Sequence, residues 1–258
     1  MGDPVGRWLA ELEPRHRASL SFAEVRRALQ ALSSLYVERR PRIASGAALE
    51  SAGKRAAFAL YYGPLHFMLV RCVVRALKAT RPAPTRILDL GCGTGVAGAA
   101  WALESGGALL EGVDRNAWAV QEARWTLASL GLRGRVHQGF ADRARVPGAG
   151  GGIVASFAVN EMDDAERERL LEKLLRVART RTRVLVIEPI SRRAAPWWGE
   201  WAGAFKRVGG REDTWRFPVT LPEPLKLLDR AAGLDHRELT CRSLWLAPSR
   251  LAEADPEP

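Results

Sequence analysis

Cysteine is scarce in this sequence. Cys72, Cys92 and Cys241 are odd in number, widely spaced and form no CxxC pair. A disulfide framework and the usual zinc-ligand spacings are thereby excluded, no metal site is expected, and a reducing compartment is predicted. Lysine is nearly as rare, 5 residues against 34 arginines. An arginine bias follows codon usage as readily as function, so it does not by itself argue for a phosphate-binding face. No internal repeat is present. The opening MGDPVGRWLAELEP lacks the apolar core of a signal peptide, and Gly6 stands where a myristoylation pattern needs Ser or Thr. No apolar run approaches the ~18 residues of a membrane span. These absences predict a cytoplasmic chain with no membrane partner.

What is present suits a globular protein. The chain has 258 residues, 47% hydrophobic and 26% charged, enough to bury a stable core without staples. The net charge of +10 is unevenly placed: residues 1–85 carry +8, while 86–190 and 191–258 carry +1 each. That asymmetry points to an anionic partner for the N-terminal third, nucleic acid first and a membrane surface second. A solvated basic helical face accounts for it equally well.

The first 80 residues read as helical. Ser21 and Glu24 have capping-box spacing, and Val25, Leu29, Leu32, Leu35 and Tyr36 continue with helical period to Glu38. A second helix is expected over about 47–62 and a third from Pro64 to Lys78. The prolines of 81–85 (RPAPT) forbid helix and mark a boundary. A basic helical cap, 1–81, is therefore expected before a domain over 82–250, with a flexible tail at 251–258. Beyond the boundary, strand candidates Arg86–Leu90, Leu109–Val113, Arg135–Gln138, Ile153–Phe157 and Arg183–Ile187 alternate with helices, clearest at Asn116–Leu130 and Asp163–Ala178. Alternation of this kind gives an α/β fold with a largely parallel sheet. Gly148–Gly152 reads as a flexible loop. A tryptophan-rich stretch (Trp197, Trp198, Trp201, Trp215) precedes a helix at about Pro222–Ala232, and His236–Ala247 is one bent strand or two short ones.

The strongest chemical signal is Ile87-Leu88-Asp89-Leu90-Gly91-Cys92-Gly93-Thr94-Gly95, a strand running into a glycine turn. Alternating glycines let the backbone turn sharply and leave room for a ligand. Asp114 ends the next strand, where a ribose-binding acid belongs. Gly93–Gly98 also matches the dinucleotide pattern GxGxxG. Asp89 argues against a dinucleotide, because a carboxylate at the strand's lip repels a pyrophosphate. S-adenosylmethionine (SAM) carries an ammonium and a sulfonium instead, which an acidic loop suits.

The run LDLGCGTG resembles motif I of the class I SAM-dependent methyltransferases, and the resemblance covers 86 to about 190. It implies a Rossmann-like sheet with helices on both faces and SAM as cofactor. Asp89 and the loop Gly91, Cys92, Gly93 and Gly95 would cradle the methionine part. Asp114 would bind the ribose, Arg115 would lie against the adenine, and Ala141 with Asp142 would meet the adenine edge, with Phe157 beside the cofactor. Two departures from the family's habit stand out: Phe140 in place of the Gly of a Gly-Asp pair, and Gly152 where an aspartate often opens the fourth strand. The acceptor side would fall at Ser156–Met162, which lacks Asn-Pro-Pro-Tyr. Asn160 and Glu161 are the catalytic candidates there, and helix capping by Asn160 or Asp163 is the structural alternative. Tyr61 and Tyr62 read as a lid or as packing at a helix junction, and Cys92 as a small filler.

Three short pieces resemble the methyltransferase-like proteins associated with the mitochondrial small ribosomal subunit and their bacterial relatives: Arg39–Arg42, Ser156–Met162, and His236–Glu238 with Arg242–Leu244. That family's cysteine cluster is missing, so no iron–sulfur role is expected. The resemblance implies a methyltransferase acting on RNA, ribosomal RNA above all, or a partner of the small ribosomal subunit. A small-molecule or protein methyltransferase and a SAM-binding assembly factor without catalysis are the alternatives.

Overall fold

Residues 153–155 and 184–187 are continuous apolar runs because both faces of the sheet are covered there. The computed structural model describes residues 3–38, 49–177, 180–191 and 195–247. Arg86–Leu90 (β1), Leu109–Asp114 (β2), Gly134–Gln138 (β3), Gly152–Ser156 (β4) and Arg183–Glu188 (β5) run parallel, joined by Arg211–Pro218 (β6) and Glu238–Leu246 (β7). The order is β3-β2-β1-β4-β5-β7-β6. β7 pairs antiparallel with both β5 and β6, so among the described residues it is the reversed strand.

Side chains alternate between two cores with the period of the pleat. Ile87, Val154, Leu185 and Ile187 face one layer, which holds Pro4–Arg17 (α1), Phe22–Glu38 (α2), Ala52–Ala57 (α3), Gly63–Ala76 (α4), Val96–Glu104 (α5), Ala117–Ser129 (α6) and Glu223–Ala231 (α9). Leu88, Ile153, Val184 and Val186 face the other, covered by Asp164–Val177 (α7) and Trp198–Arg207 (α8). The N-terminal helices therefore share a core with the sheet. Trp8 of α1 is 1% exposed and lies 5.2 Å from Phe67 of α4 between ring centroids. Glu122 of α6 accepts hydrogen bonds from Arg15 at 3.0 Å and pairs with His16 at 2.9 Å.

Several expectations need correction. Pro64 does not begin a separate helix. Residues 52–76 form one continuous helix, with a π-helical turn, Phe58–Tyr62, between α3 and α4. The amide of Gly63 reaches back five residues to the Phe58 carbonyl. This widened turn accommodates a proline that lacks an amide to donate. By length and composition this helix is also apolar enough to cross a membrane, against the expectation of no such run, although 67% of its most apolar window is buried inside the protein. β7 is one strand. Neither α8 nor β6 was anticipated in the tryptophan-rich stretch.

One departure noted in the sequence, Gly152, has a steric cause, and so has the last glycine of the GxGxxG match, Gly98. A Cβ on Gly152 would stand 2.7 Å from the Trp101 ring, so an aspartate cannot open β4 here. A Cβ on Gly98 would meet Leu110 at 2.5 Å and Asp89 at 2.9 Å, which lets α5 lie directly on β1.

Candidate active site

β1 sits between β2 and β4, so the chain connections diverge on either side of it. A crevice opens there at the carboxyl ends of the strands. It is a cavity of about 610 Å³. Asp89, Gly91, Cys92, Gly93, Asp114, Arg115, Ala141, Asp142, Phe157, Asn160 and Glu161 all line it. Gly95 does not. Its φ is +79°, and a Cβ there would meet Ala123 at 3.0 Å, so this glycine serves the turn and the contact with α6. Gly93 has φ +52°, and a Cβ would find only Phe58, at 3.9 Å, because it would point into the cavity.

The loop is held from below by carboxylates. Asp89 is 1% exposed; its Oδ2 accepts the Gly98 amide at 2.7 Å, and its Oδ1 has no partner among the described residues. Asp114 accepts the amides of Gly93 and Asn116, both at 2.8 Å. Burial pushes Asp89 up to about 7, with the Gly98 bond opposing and Asp114 adding to the rise. Burial also raises Asp114. Thr94 Oγ1 and Ser156 Oγ are two further buried polar atoms without a partner among the described residues, and both residues line the cavity. Cys92 is buried, its thiol pushed up by desolvation and by the Asp89 and Asp114 charges, which fits an inert filler.

On the acceptor side the two candidates part company. Both polar atoms of the Asn160 carboxamide are engaged. Its Nδ2 donates to Glu188, and its Oδ1 accepts from Trp197 Nε1 at 3.1 Å. Helix capping falls to Asp163, which forms a capping box with Glu166 at 2.8 and 3.2 Å. Among the described residues Glu161 has no such partner for its carboxyl. Burial, with the Asp114 charge adding and Arg115 opposing, pushes it up to about 7. Arg115 donates to the Glu161 carbonyl at 3.1 Å, and Asp142 is bonded to Arg169 at 2.7 Å.

Most of one wall is not evident in the sequence, where Phe58 and His66 belong to no motif and Tyr62 stands only as half of the lid-or-packing pair. Phe58, Tyr62 and His66 line the cavity opposite the loop. They are spaced four apart, and the wide π turn brings such positions nearly into line on one helix face. That spacing beside a glycine loop was the available signal. Of the tyrosine pair, Tyr61 is junction packing, fully buried and bonded to Asp229 and to His236, the latter at 2.8 Å. Tyr62 alone faces the cavity. Glu188 was also missed, although a lone acid closing an apolar strand mirrors Asp89. It is 0% exposed, accepts the Val159 amide at 3.0 Å and the Asn160 amide at 3.3 Å, and burial pushes it up to about 8.

Residues 87–181 match a family model described as a methyltransferase domain. No curated protein matches the chain. Among solved structures, a candidate O-methyltransferase from Nostoc punctiforme is 17% identical, with TM-score 0.53, over 84% of this chain and 72% of that one. The methyltransferase domain of bacterial CtHen1-CN is 14% identical, with TM-score 0.50, over 70% and 99%. The magnesium protoporphyrin IX methyltransferase of Synechocystis PCC 6803, solved with bound SAM, is 16% identical, with TM-score 0.49, over 72% and 80%. The first two show the shared fold. The match over 87–181 gives this chain a methyltransferase domain, built on that fold. Its methyl donor is S-adenosylmethionine.

Proposed function

We propose that the protein transfers the methyl group of SAM to a planar acceptor, and that RNA, ribosomal RNA first, carries that acceptor. One observation carries the acceptor reading: a single cavity is lined both by carboxylates with a glycine loop and by the aromatic rings of Phe58, Tyr62, His66 and Phe157. The residues present fit SAM. The orphaned Asp89 Oδ1 is an acceptor for its ammonium, and Asp114 keeps lone pairs for ribose hydroxyls beside the two amides it already holds. Arg115 and the turn Ala141–Asp142 flank the place for adenine. When bound, SAM supplies an electrophilic methyl carbon on a sulfonium. The chain's own work is then orientation, which can account for most of such a rate. Asn160, tied to Glu188 and Trp197, fixes the turn after β4.

RNA is favoured by charge and by the cavity rim. Arg26 and Arg27 are exposed on α2, and Phe140 is 46% exposed at the rim with the Arg143 guanidinium 5.0 Å from its ring centre. Such pairs stack on bases and meet phosphates. Other N-terminal cations are engaged by acids, Arg15 with Glu122 and Arg71 and Arg75 with Glu104. Arg39, Arg40 and Arg42 lie outside the described residues, as does the side chain of Tyr36. The kinship to methyltransferase-like proteins of the mitochondrial small ribosomal subunit belongs to this proposal, and rests on the three short motifs.

Labelled SAM incubated with RNA-containing and RNA-free cell fractions tests it. Label in RNA is the expected result. Label confined to small molecules or protein would transfer the acceptor to another class, and saturable SAM binding without any transfer would leave a non-catalytic assembly factor. Replacing Arg39, Arg40 and Arg42 by Ala should flatten the salt dependence of RNA binding by about two units, at ~0.7 per phosphate contact. Equal slopes would remove the case for RNA.

A further inference from the structure

His66 is held in the cavity wall by stacking. Its ring lies on Phe157, 4.1 Å between centroids and 19° between planes, with Phe58 edge-on at 6.3 Å and Tyr62 tilted at 6.1 Å. Among the described residues neither ring nitrogen has a hydrogen-bond partner. His66 is half-buried, so its ring opens onto the cavity rather than being sealed in the core, and a phenyl ring would fill the same gap without presenting nitrogens to it. In a wall otherwise built from Phe58, Tyr62 and Phe157, the imidazole nitrogens are the polar atoms that packing does not explain.

Burial pushes the His66 imidazole down to about 4, so at neutral pH one nitrogen carries a proton and the other a lone pair. The charged groups sharing its cavity are Asp89 of β1, Asp114 and Arg115 at the end of β2, Asp142 after β3, Glu161 after β4 and Glu166 of α7. Those acids favour a charged imidazole, yet loss of water prevails. Glu161, the other titratable candidate, feels Asp114 and Arg115 and so belongs to the ribose end.

We propose that His66 is a catalytic residue of the acceptor subsite: it accepts a hydrogen bond from the methyl-accepting atom and takes that atom's proton during transfer. The inference rests on the methyl-transfer reading above. The acceptor's nitrogen or oxygen uses a lone pair to bond the methyl carbon, and the carbon–sulfur bond breaks with its electron pair staying on sulfur. The sulfonium becomes a neutral thioether, and the acceptor's proton passes to the free imidazole nitrogen and on to water. A base this weak removes a proton only from an atom that becomes strongly acidic as the new bond forms. Nitrogen or oxygen conjugated to a planar ring meets that condition. An alkyl amine, already protonated at neutral pH, does not. A planar acceptor also suits the aromatic wall.

His66→Phe preserves the stack and removes the nitrogens, and His66→Ala opens the space. Both should bind SAM and S-adenosylhomocysteine by calorimetry within about threefold of wild type, while transfer of label from SAM to the wild-type acceptor falls by about 100-fold or more, the scale of a lost general base. Added imidazole should restore part of the activity of His66→Ala. Undiminished transfer by His66→Phe would overturn the inference and leave the methyltransferase reading standing. Loss in His66→Ala but not in His66→Phe would assign the residue to packing alone. If the wild type binds SAM yet labels nothing in any fraction, the reading and the inference fall together.

Discussion

Glu188 takes both the main-chain amide of Asn160, at 3.3 Å, and its carboxamide Nδ2. A carboxylate at the end of β5 thus fixes the turn after β4, and Asn160 transmits that constraint to Trp197 at 3.1 Å. Asn160→Ala should leave Glu188 buried with one partner fewer, destabilising the protein by ~1–3 kcal/mol, the cost of an unmade buried bond. Turnover should fall along with the thermal midpoint. A variant with wild-type stability and lost turnover would instead make Asn160 a group that touches the acceptor.

Four carboxyls at this site are raised by burial: Asp89 and Glu161 to about 7, Glu188 to about 8, and Asp114 in the same direction. A carboxyl raised above its unfolded value binds more protons when folded, so its contribution to stability is complete below about 4.5 and is lost as pH rises through the folded value. The thermal midpoint of the ligand-free protein should therefore decline between about pH 5 and 8, other groups apart, and Glu188→Gln should shallow that decline. SAM, a cation, should counter it more than neutral-sulfur S-adenosylhomocysteine does. A slope unchanged by Glu188→Gln would show that Glu188 titrates normally.

Gly93→Val should abolish SAM binding, because φ +52° strains any β-branched residue and its side chain would enter the cavity. Asp114→Ala should weaken SAM by ~1–3 kcal/mol, the scale for losing bonds to a charged group. Calorimetry with SAM, and with NAD as a control expected to give no heat, checks both. Saturable NAD binding without SAM binding would reinstate the dinucleotide reading.

Gly152 and Trp101 should behave as a coupled pair. Gly152→Ala overpacks against the Trp101 ring and should cost ~1–3 kcal/mol. In a Trp101→Leu background the same change should cost distinctly less, because the colliding ring is gone. Denaturant melts of the four proteins measure the coupling, and additive effects would refute the steric account.

Most of the parallel strands are legible as short apolar runs bounded by turn residues, Arg86–Leu90 to the residue, although β3 buries only Val136. The cofactor end was legible for a related reason: ligand contact there is made by backbone, and glycine records backbone demands in the sequence. The opposite wall was not. Phe58, Tyr62 and His66 read as ordinary helix residues until the π turn and the fold bring them over the loop. β6 escaped notice because it lies outermost in the sheet, with exposed and half-buried residues alternating from Arg211 to Pro218, and two glycines blur the amphipathic pattern of α8.

The π turn has a further consequence when counted in residues. A helix that makes one turn with a residue more than its neighbours is an α-helix with an insertion, and removing that residue rotates everything upstream by about 100°. Deleting one position within 58–62 would leave α4 and His66 where they are and swing Phe58 and α3 away from the cavity. The wall facing the acceptor could thus have changed by insertion of a single codon, independently of the glycine loop that serves the cofactor.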